Sequence, residues 1–324
     1  MEAPRDLFAP IEPYRQGWLD VGEGHRVFYE ESGAPDGIPV LCVHGGPGSG
    51  SRPLARRFFH PRRCRIIAFD QRGAGRSQPA GCLAANDTAR LVADMEALRR
   101  ALAVGRWIVF GGSWGATLAL CYARRHPERV AAALLRGIFL ASREEIDGYL
   151  YGLRAVAPEA WRRFSEALPA CGRDDLLAGY GLQLAAPEPA TRLAAARAWC
   201  RYEGELLALD SGLATDPPAA DERLLAKARI QVHYLRHGCF VDADVLRRGV
   251  ARLAGIPAIL VHGARDRICR PEVAQALARH WPGADLRIVP GAGHLAGTEA
   301  MAAALVRAAR ELLDGVGSPW HMPC

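Results

Sequence analysis

The chain has 324 residues, half of them hydrophobic, which suits one large α/β domain carrying an insertion. Its formal charge is +6, but the positive residues are scattered arginines plus a single lysine, Lys227, and this pattern speaks against a nucleic-acid-binding face. Nine cysteines at irregular spacing include no CxxC or zinc pattern and suit a reducing cytoplasm; the polar N-terminus has no signal core, and no apolar run is long enough to cross a membrane.

In chain order, "HRVFYEES" alternates apolar and polar residues and predicts a half-buried strand. "PVLCVHGG" and "RIIAFDQRG" are short continuous apolar runs ending in glycine-containing loops, as central parallel strands do. "DTARLVADMEALRRALAV" places Leu91, Met95, Leu98 and Leu102 at helical spacing behind a cap at Asp87 or Thr88. "RWIVFGGS" predicts a strand, "WGATLALCYARRHP" a helix and "VAAALLRGIFL" another buried strand. From about Ser142 to about Val241 the alternation gives way to a helical, alanine- and aromatic-rich segment broken by prolines. It then resumes with strand "PAILVHG", helix "PEVAQALARHW", strand "ADLRIVPG" and helix "AMAAALVRAARELL". The expected architecture is a parallel sheet flanked by helices and interrupted by an all-helical insertion.

Gly111, Ser113 and Gly115 form G-x-S-x-G between a strand and a helix, the context of a nucleophile elbow. A serine at so sharp a turn needs neighbours without bulky Cβ groups, and the helix that follows aims its N–H groups at the site. A plain helix-capping serine is the competing reading. A serine nucleophile needs a base, and the base needs an orienting acid, in the order Ser, Asp, His for this arrangement. Asp266 in "VHGARDRIC" and His294 in "PGAGHLAG" both follow predicted strands, where open α/β sheets place their ligands. A turn aspartate and a loop histidine are the bland alternatives. His44 precedes the serine, the wrong order for the base, and His262 reads as a structural residue of the Asp266 loop. "HGGPGSG" lets backbone approach an oxyanion, with the N–H groups of Gly46 and Trp114 as donors. It lacks the G-K-[ST] ending of a phosphate loop, though it could also be an ordinary tight turn.

Together "HGGPGSG", "FDQRGAGRS", "RWIVFGGSWGATLALCYARRHPERV", "LLRGIFL", "ATRLAAARAW", "GIPAILVHGARDRIC" and "GAGH" resemble the proline iminopeptidase family of α/β hydrolases over most of the chain. The resemblance implies an α/β-hydrolase fold, a mostly parallel sheet flanked by helices with an inserted all-helical cap domain. Residues 1–141 and 242–324 would form the core and 142–241 the cap that recognises substrate. It implies the triad Ser113, Asp266, His294 and the oxyanion donors Gly46 and Trp114. Phe139 and Tyr149 would line the pocket for an N-terminal proline ring, and Cys269 would lie near it, a position that a packing cysteine would fill equally. Glu203, with Glu205 beside it, would hold the substrate's amino group, unless it is merely a solvated helix-face residue.

Three cap positions depart from the family pattern: Gln231 stands where a second glutamate is expected, Leu235 where a phenylalanine is, and Tyr202 where a tryptophan precedes Glu203. The implied activity is a cytoplasmic serine exopeptidase that releases N-terminal proline, or a similar small residue, from peptides or aminoacyl amides through an acyl-enzyme. It needs no metal or organic cofactor and has no nucleic-acid or membrane partner. A relative retuned to a small-metabolite ester, thioester or amide is the rival, and a member that only binds a ligand is a second. The sequence leaves the oligomeric state open.

Overall fold

The alternating and continuous apolar runs of the first quarter pair into one sheet. The structure is a computed structural model, and it describes residues 6–209, 211 and 220–316. The outer ends of the expected 1–141 and 242–324 spans, and residues 210 and 212–219 of the expected 142–241 span, therefore lie outside the described residues. The elements are β1 (Arg15–Asp20), β2 (Arg26–Gly33), β3 (Ile38–Val43), β4 (Cys64–Phe69), α1 (Thr88–Ala101), β5 (Trp107–Ser113), α2 (Trp114–Arg125) and β6 (Val130–Ile138). Five helices follow: α3 (Arg143–Leu150), α4 (Pro158–Glu166), α5 (Leu176–Leu184), α6 (Pro189–Ala208) and α7 (Asp221–Arg236). The chain closes with α8 (Ala243–Gly249), β7 (Ala258–Gly263), α9 (Pro271–His280), β8 (Ala284–Val289) and α10 (Glu299–Gly315).

Among the described residues, eight strands run in the order β1-β2-β4-β3-β5-β6-β7-β8. β2 is antiparallel to β1 and β4, and the other pairings are parallel. The antiparallel edge strand β1 is absent from the sequence expectation. Its residues, "RQGWLD", are mostly exposed, with Leu19 packing half-buried on the core, so the strand carries too short an apolar pattern to give the period-2 signal that marks β2.

The two faces of the sheet read directly from β3. Val40 and Cys42 join one apolar cluster with α10 and the short 3-10 turn Pro53–Phe58. Leu41 and Val43 join another with α1, α2 and α9. Nine of the twelve α2 residues are buried, and small Gly115, Ala116, Ala119 and Ala123 let this helix lie close against the strands. Asp87 caps α1 by accepting from the Arg90 N–H at 3.0 Å.

Helices α3–α7 enter between β6 and β7, whereas α8 packs on α2 and α9 beside the sheet. α7 is seated on core loops at backbone range. A Cβ on Gly48 would come within 3.1 Å of Ile230 Cβ, and one on Gly81 within 3.0 Å of Ala226 Cα. Ala226 and Ile230 lie one turn apart on the same helix face.

Candidate active site

At the end of β5 the chain turns abruptly into α2. Ser113 sits at φ 56° and ψ −128°, a conformation that a non-glycine residue holds only when its surroundings impose it. The imposing contacts are backbone. A Cβ on Gly111 would strike the Gly115 carbonyl, and one on Gly115 would strike the Val43 carbonyl. The β5–β6 register also shifts at this point, between Gly112 and Ser113. Ser113 carries no side-chain cap bond to α2, so the hydroxyl does not act as a helix cap. Its Oγ lies 3.9 Å from Cys269 Sγ.

Asp266 follows β7 and His294 follows β8. His294 Nδ1–H donates to Asp266 Oδ2 at 2.7 Å, which leaves Nε2 as a bare acceptor. Asp266 Oδ1 accepts from the backbone N–H groups of Cys269 at 2.8 Å and Ile268 at 3.1 Å. Burial opposes the charge on Asp266, but His294 first and then the Cys269 N–H among the lesser contributions outweigh it and hold the carboxyl below its usual value. Behind the pair, His262 is locked: Nδ1 accepts from Ile138 N–H at 3.1 Å, so Nε2–H donates to Cys269 O at 2.7 Å. Burial lowers its pKa, as a neutral structural imidazole requires. Arg136 Nη1 donates to His294 O at 2.8 Å and fixes that loop from below.

The glycine loop after β3 lies against the elbow. A Cβ on Gly45 would approach Gly112 O to 3.0 Å and Ser113 Cβ to 3.6 Å. Gln71 ties this loop to α2: it donates to His44 O at 2.8 Å and accepts from the Trp114 indole N–H at 2.9 Å. Gln71 N–H also donates to His44 Nε2 at 3.0 Å, so His44 Nδ1–H points to Gly45 O at 2.9 Å. Burial lowers the His44 pKa and keeps it neutral beside the site. The Trp114 N–H opens α2, where the first-turn donors have no intrahelical acceptor.

Gln231 bridges the helical layer to the glycine loop. Its Nε2 donates to Gly46 O at 3.2 Å and to Glu203 Oε1 at 3.1 Å, while its Oε1 accepts from the Trp199 indole N–H at 2.9 Å. The indole can only donate and both other partners only accept, so the amide orientation is fixed. The Lys227 ammonium donates to the second Glu203 oxygen. Burial opposes both charges, yet each holds the other ionised: the Glu203 carboxyl is lowered and the Lys227 ammonium raised. Among the described residues Tyr149 Oη is buried without a partner, and burial followed by the Glu203 charge pushes its pKa up.

Ser113, Asp266, His294 and Cys269 thus meet at the C-terminal ends of β5, β7 and β8, with Gly46 and Trp114 beside them. Glu203 and Gln231 join this group through Gly46, and Tyr149 lies near Glu203. Phe139 is half-buried just past β6, its carbonyl accepting from Thr117 Oγ1 at 2.6 Å. Leu235 is buried one turn beyond Gln231 on α7. Glu205 departs from expectation. Two residues along α6 from Glu203, it faces outward, paired with Arg163 at 3.1 Å in a solvent-open groove between α4 and α6. Tyr202 likewise turns into the helical layer, stacked on Phe164 at 4.2 Å. Sequence reasoning missed Gln71, Arg136 and Lys227 as participants, although "DQRG" and "LLRG" flagged two of their neighbourhoods.

A sheet of this order with its sharpest turn after the fifth strand is the α/β-hydrolase architecture, and a family model described as alpha/beta hydrolase fold matches residues 38–300. Solved structures share that fold. VinJ superposes with a TM-score of 0.63 at 17% identity, covering 94% of this chain and 100% of its own. A proline iminopeptidase-related protein from Thermus thermophilus gives 0.57 at 24%, covering 93% and 98%. Sequence narrows the kinship. Proline iminopeptidases from Xylella fastidiosa and Xanthomonas citri are 46% and 44% identical, covering 90% and 94% of this chain and 94% and 98% of their own. One from Arabidopsis thaliana is 44% identical over 93% of this chain and 80% of its own. The chain belongs to the proline iminopeptidase family of α/β hydrolases.

Proposed function

We propose that this serine hydrolase releases N-terminal proline from peptides or aminoacyl amides through an acyl-enzyme. The observation that carries the reading is the strained Ser113 beside an Asp266–His294 pair whose Nε2 is free to accept a proton. Ser113 Oγ attacks the scissile carbonyl as His294 Nε2 takes its proton. Asp266 holds the Nδ1–H tautomer and stabilises the imidazolium. The N–H groups of Gly46 and Trp114 receive the oxyanion. His294 then protonates the leaving amine, and water releases the acyl group by the reverse sequence.

Phe139, Tyr149 and Leu235 pack against the proline ring, Glu203 and Gln231 face its nitrogen, and Cys269 lines the floor beside Ser113. Residues 142–241 act as the recognition cap over a core of 1–141 and 242–324. The described cysteines are all free thiols, and among the described residues no helix is long and apolar enough to cross a membrane. The free thiols support a reducing, cytoplasmic site of action. The test is hydrolysis of proline 2-naphthylamide by the purified protein and by Ser113→Ala. The parent is expected to cleave it and the variant to lose about 10³-fold or more in kcat. Equal activity in the two proteins refutes the mechanism.

A further inference from the structure

Lys227 is the chain's single lysine, and it lies inside the helical layer. Its side chain is 19% exposed and that of Glu203 13%. Its ammonium meets one oxygen of the Glu203 carboxylate, and Gln231 Nε2 meets the other. Both acceptor atoms of this buried acid are therefore engaged from within the protein. The local charges are one negative on Glu203, one positive on Lys227 and a further positive on Arg52, which acts on both; Gln231 contributes none. Among the described residues, a group nearby with unmet bonding capacity is the Tyr149 hydroxyl, buried and unpartnered. It can donate or accept, but it carries no charge to pair with a cation. A protonated nitrogen entering here must displace Lys227 and strand an ammonium out of water, or share a carboxylate already neutralised. A neutral group of the same shape faces neither cost.

We propose that Lys227 is a specificity-determining residue: an internal counter-ion that takes up the charge of Glu203, so that the subsite reads a five-membered ring by shape and by the Tyr149 hydroxyl, with little preference for a protonated ring nitrogen. The proposal rests on the reading above that the Glu203 end of the pocket receives the substrate's N-terminal residue.

The test uses a matched pair, L-prolinamide and cyclopentanecarboxamide, which differ in a ring NH₂⁺ against a CH₂. Both are titrated calorimetrically into the Ser113→Ala protein with and without Lys227→Met. The expected parent affinities lie within about fivefold of each other. Lys227→Met frees the carboxylate, and the ratio is expected to move about tenfold or more toward L-prolinamide, with the neutral amide changing less than about threefold.

An unchanged ratio, weaker binding of L-prolinamide in the Lys227→Met protein, or no binding of either amide overturns the proposal. The double variant Glu203→Gln with Lys227→Met holds no unpaired buried charge and guards against misfolding of the single one. It is expected to keep the parent ratio; a fall of about tenfold against L-prolinamide means that Glu203 was already available to cations, and the proposal fails. Release of proline from proline amides is measured separately. A protein that binds the pair as stated but cleaves no proline amide retains the Lys227 inference and loses the peptidase reading.

Discussion

Replacing Gln231 by glutamate changes one atom's charge and hydrogens and nothing in shape. The Trp199 indole N–H at 2.9 Å keeps an acceptor, but Gly46 O at 3.2 Å and Glu203 Oε1 at 3.1 Å lose their donor. Two carboxylates would then face each other at that separation, a pairwise repulsion of about 5 kcal/mol at an effective dielectric constant near 20, which the single Lys227 ammonium on the far Glu203 oxygen offsets only in part. Protonating the new carboxyl is cheaper. It costs about 1.4 kcal/mol for each unit by which the pH exceeds its unfolded value near 4.3, hence about 1 kcal/mol at pH 5 and about 4 at pH 7.

The folded pKa of the new group is thus raised, so protonation favours folding and the variant's deficit grows as pH rises. Urea unfolding of Gln231→Glu beside the parent at pH 5, 6 and 7 is expected to show that widening gap. In the native pocket an ammonium ligand supplies the partner that the new charge lacks, and kcat/KM on a proline amide is expected to gain about 5- to 150-fold, the equivalent of about 1–3 kcal/mol. A stability gap that stays constant over this range would refute the placement of the amide against Glu203. A kcat/KM that holds or falls would mean that this end of the pocket does not serve a cationic nitrogen.

Asp266→Asn keeps acceptors for the Ile268 and Cys269 N–H groups but turns a donor toward His294; kcat is expected to fall about 10³- to 10⁴-fold, and a loss under about tenfold contradicts the tautomer argument. Gln71→Ala strands the Trp114 indole N–H and the His44 carbonyl. It should destabilise by about 2–4 kcal/mol in denaturant melts and lower kcat more than it raises KM. The Glu96 carboxyl, held down to about 2 first by Arg99 and then by Tyr122 and Arg100 against the cost of burial, contributes stability that is present above its ordinary 4.5 and is lost as pH falls toward about 2. Thermal melts of Glu96→Gln are expected to lie below the parent at pH 6, with the gap narrowing below pH 4.5 and closing only near pH 2.

The Ser113 elbow was legible because glycine spacing, a preceding strand and a following helix all report on one local turn. Asp266 and His294 were legible because chain order and strand ends are both sequence properties. What failed was side-chain direction across elements. Glu203 and Glu205 sit about 200° apart around α6, so they could not both face one ligand, a point the spacing itself contained. Lys227 drew notice only as a compositional oddity; that it meets Glu203 depends on the rotation of α7 against α6, which neither helix's own pattern specifies. β1 went unseen because a mostly exposed edge strand has too little buried face to impose alternation. Gln71 was hidden for a different reason: a loop amide that fastens two loops looks like any other polar loop residue until its partners are placed.

The contact of α7 with Gly48 and Gly81 also bears on how this helix can vary. Ala226 and Ile230 touch core backbone, and Gln231, the next residue, bonds Gly46. Seat and polar contact therefore share one helical register. One residue inserted between them and Asp221 leaves this set intact, whereas one inserted between Ala226 and Ile230 swings Ile230 and Gln231 about 100° away from the glycine loop after β3 while Ala226 stays on Gly81. α7 is in this sense a ruled edge, in which the spacing of Ala226, Ile230 and Gln231 matters as much as their identities.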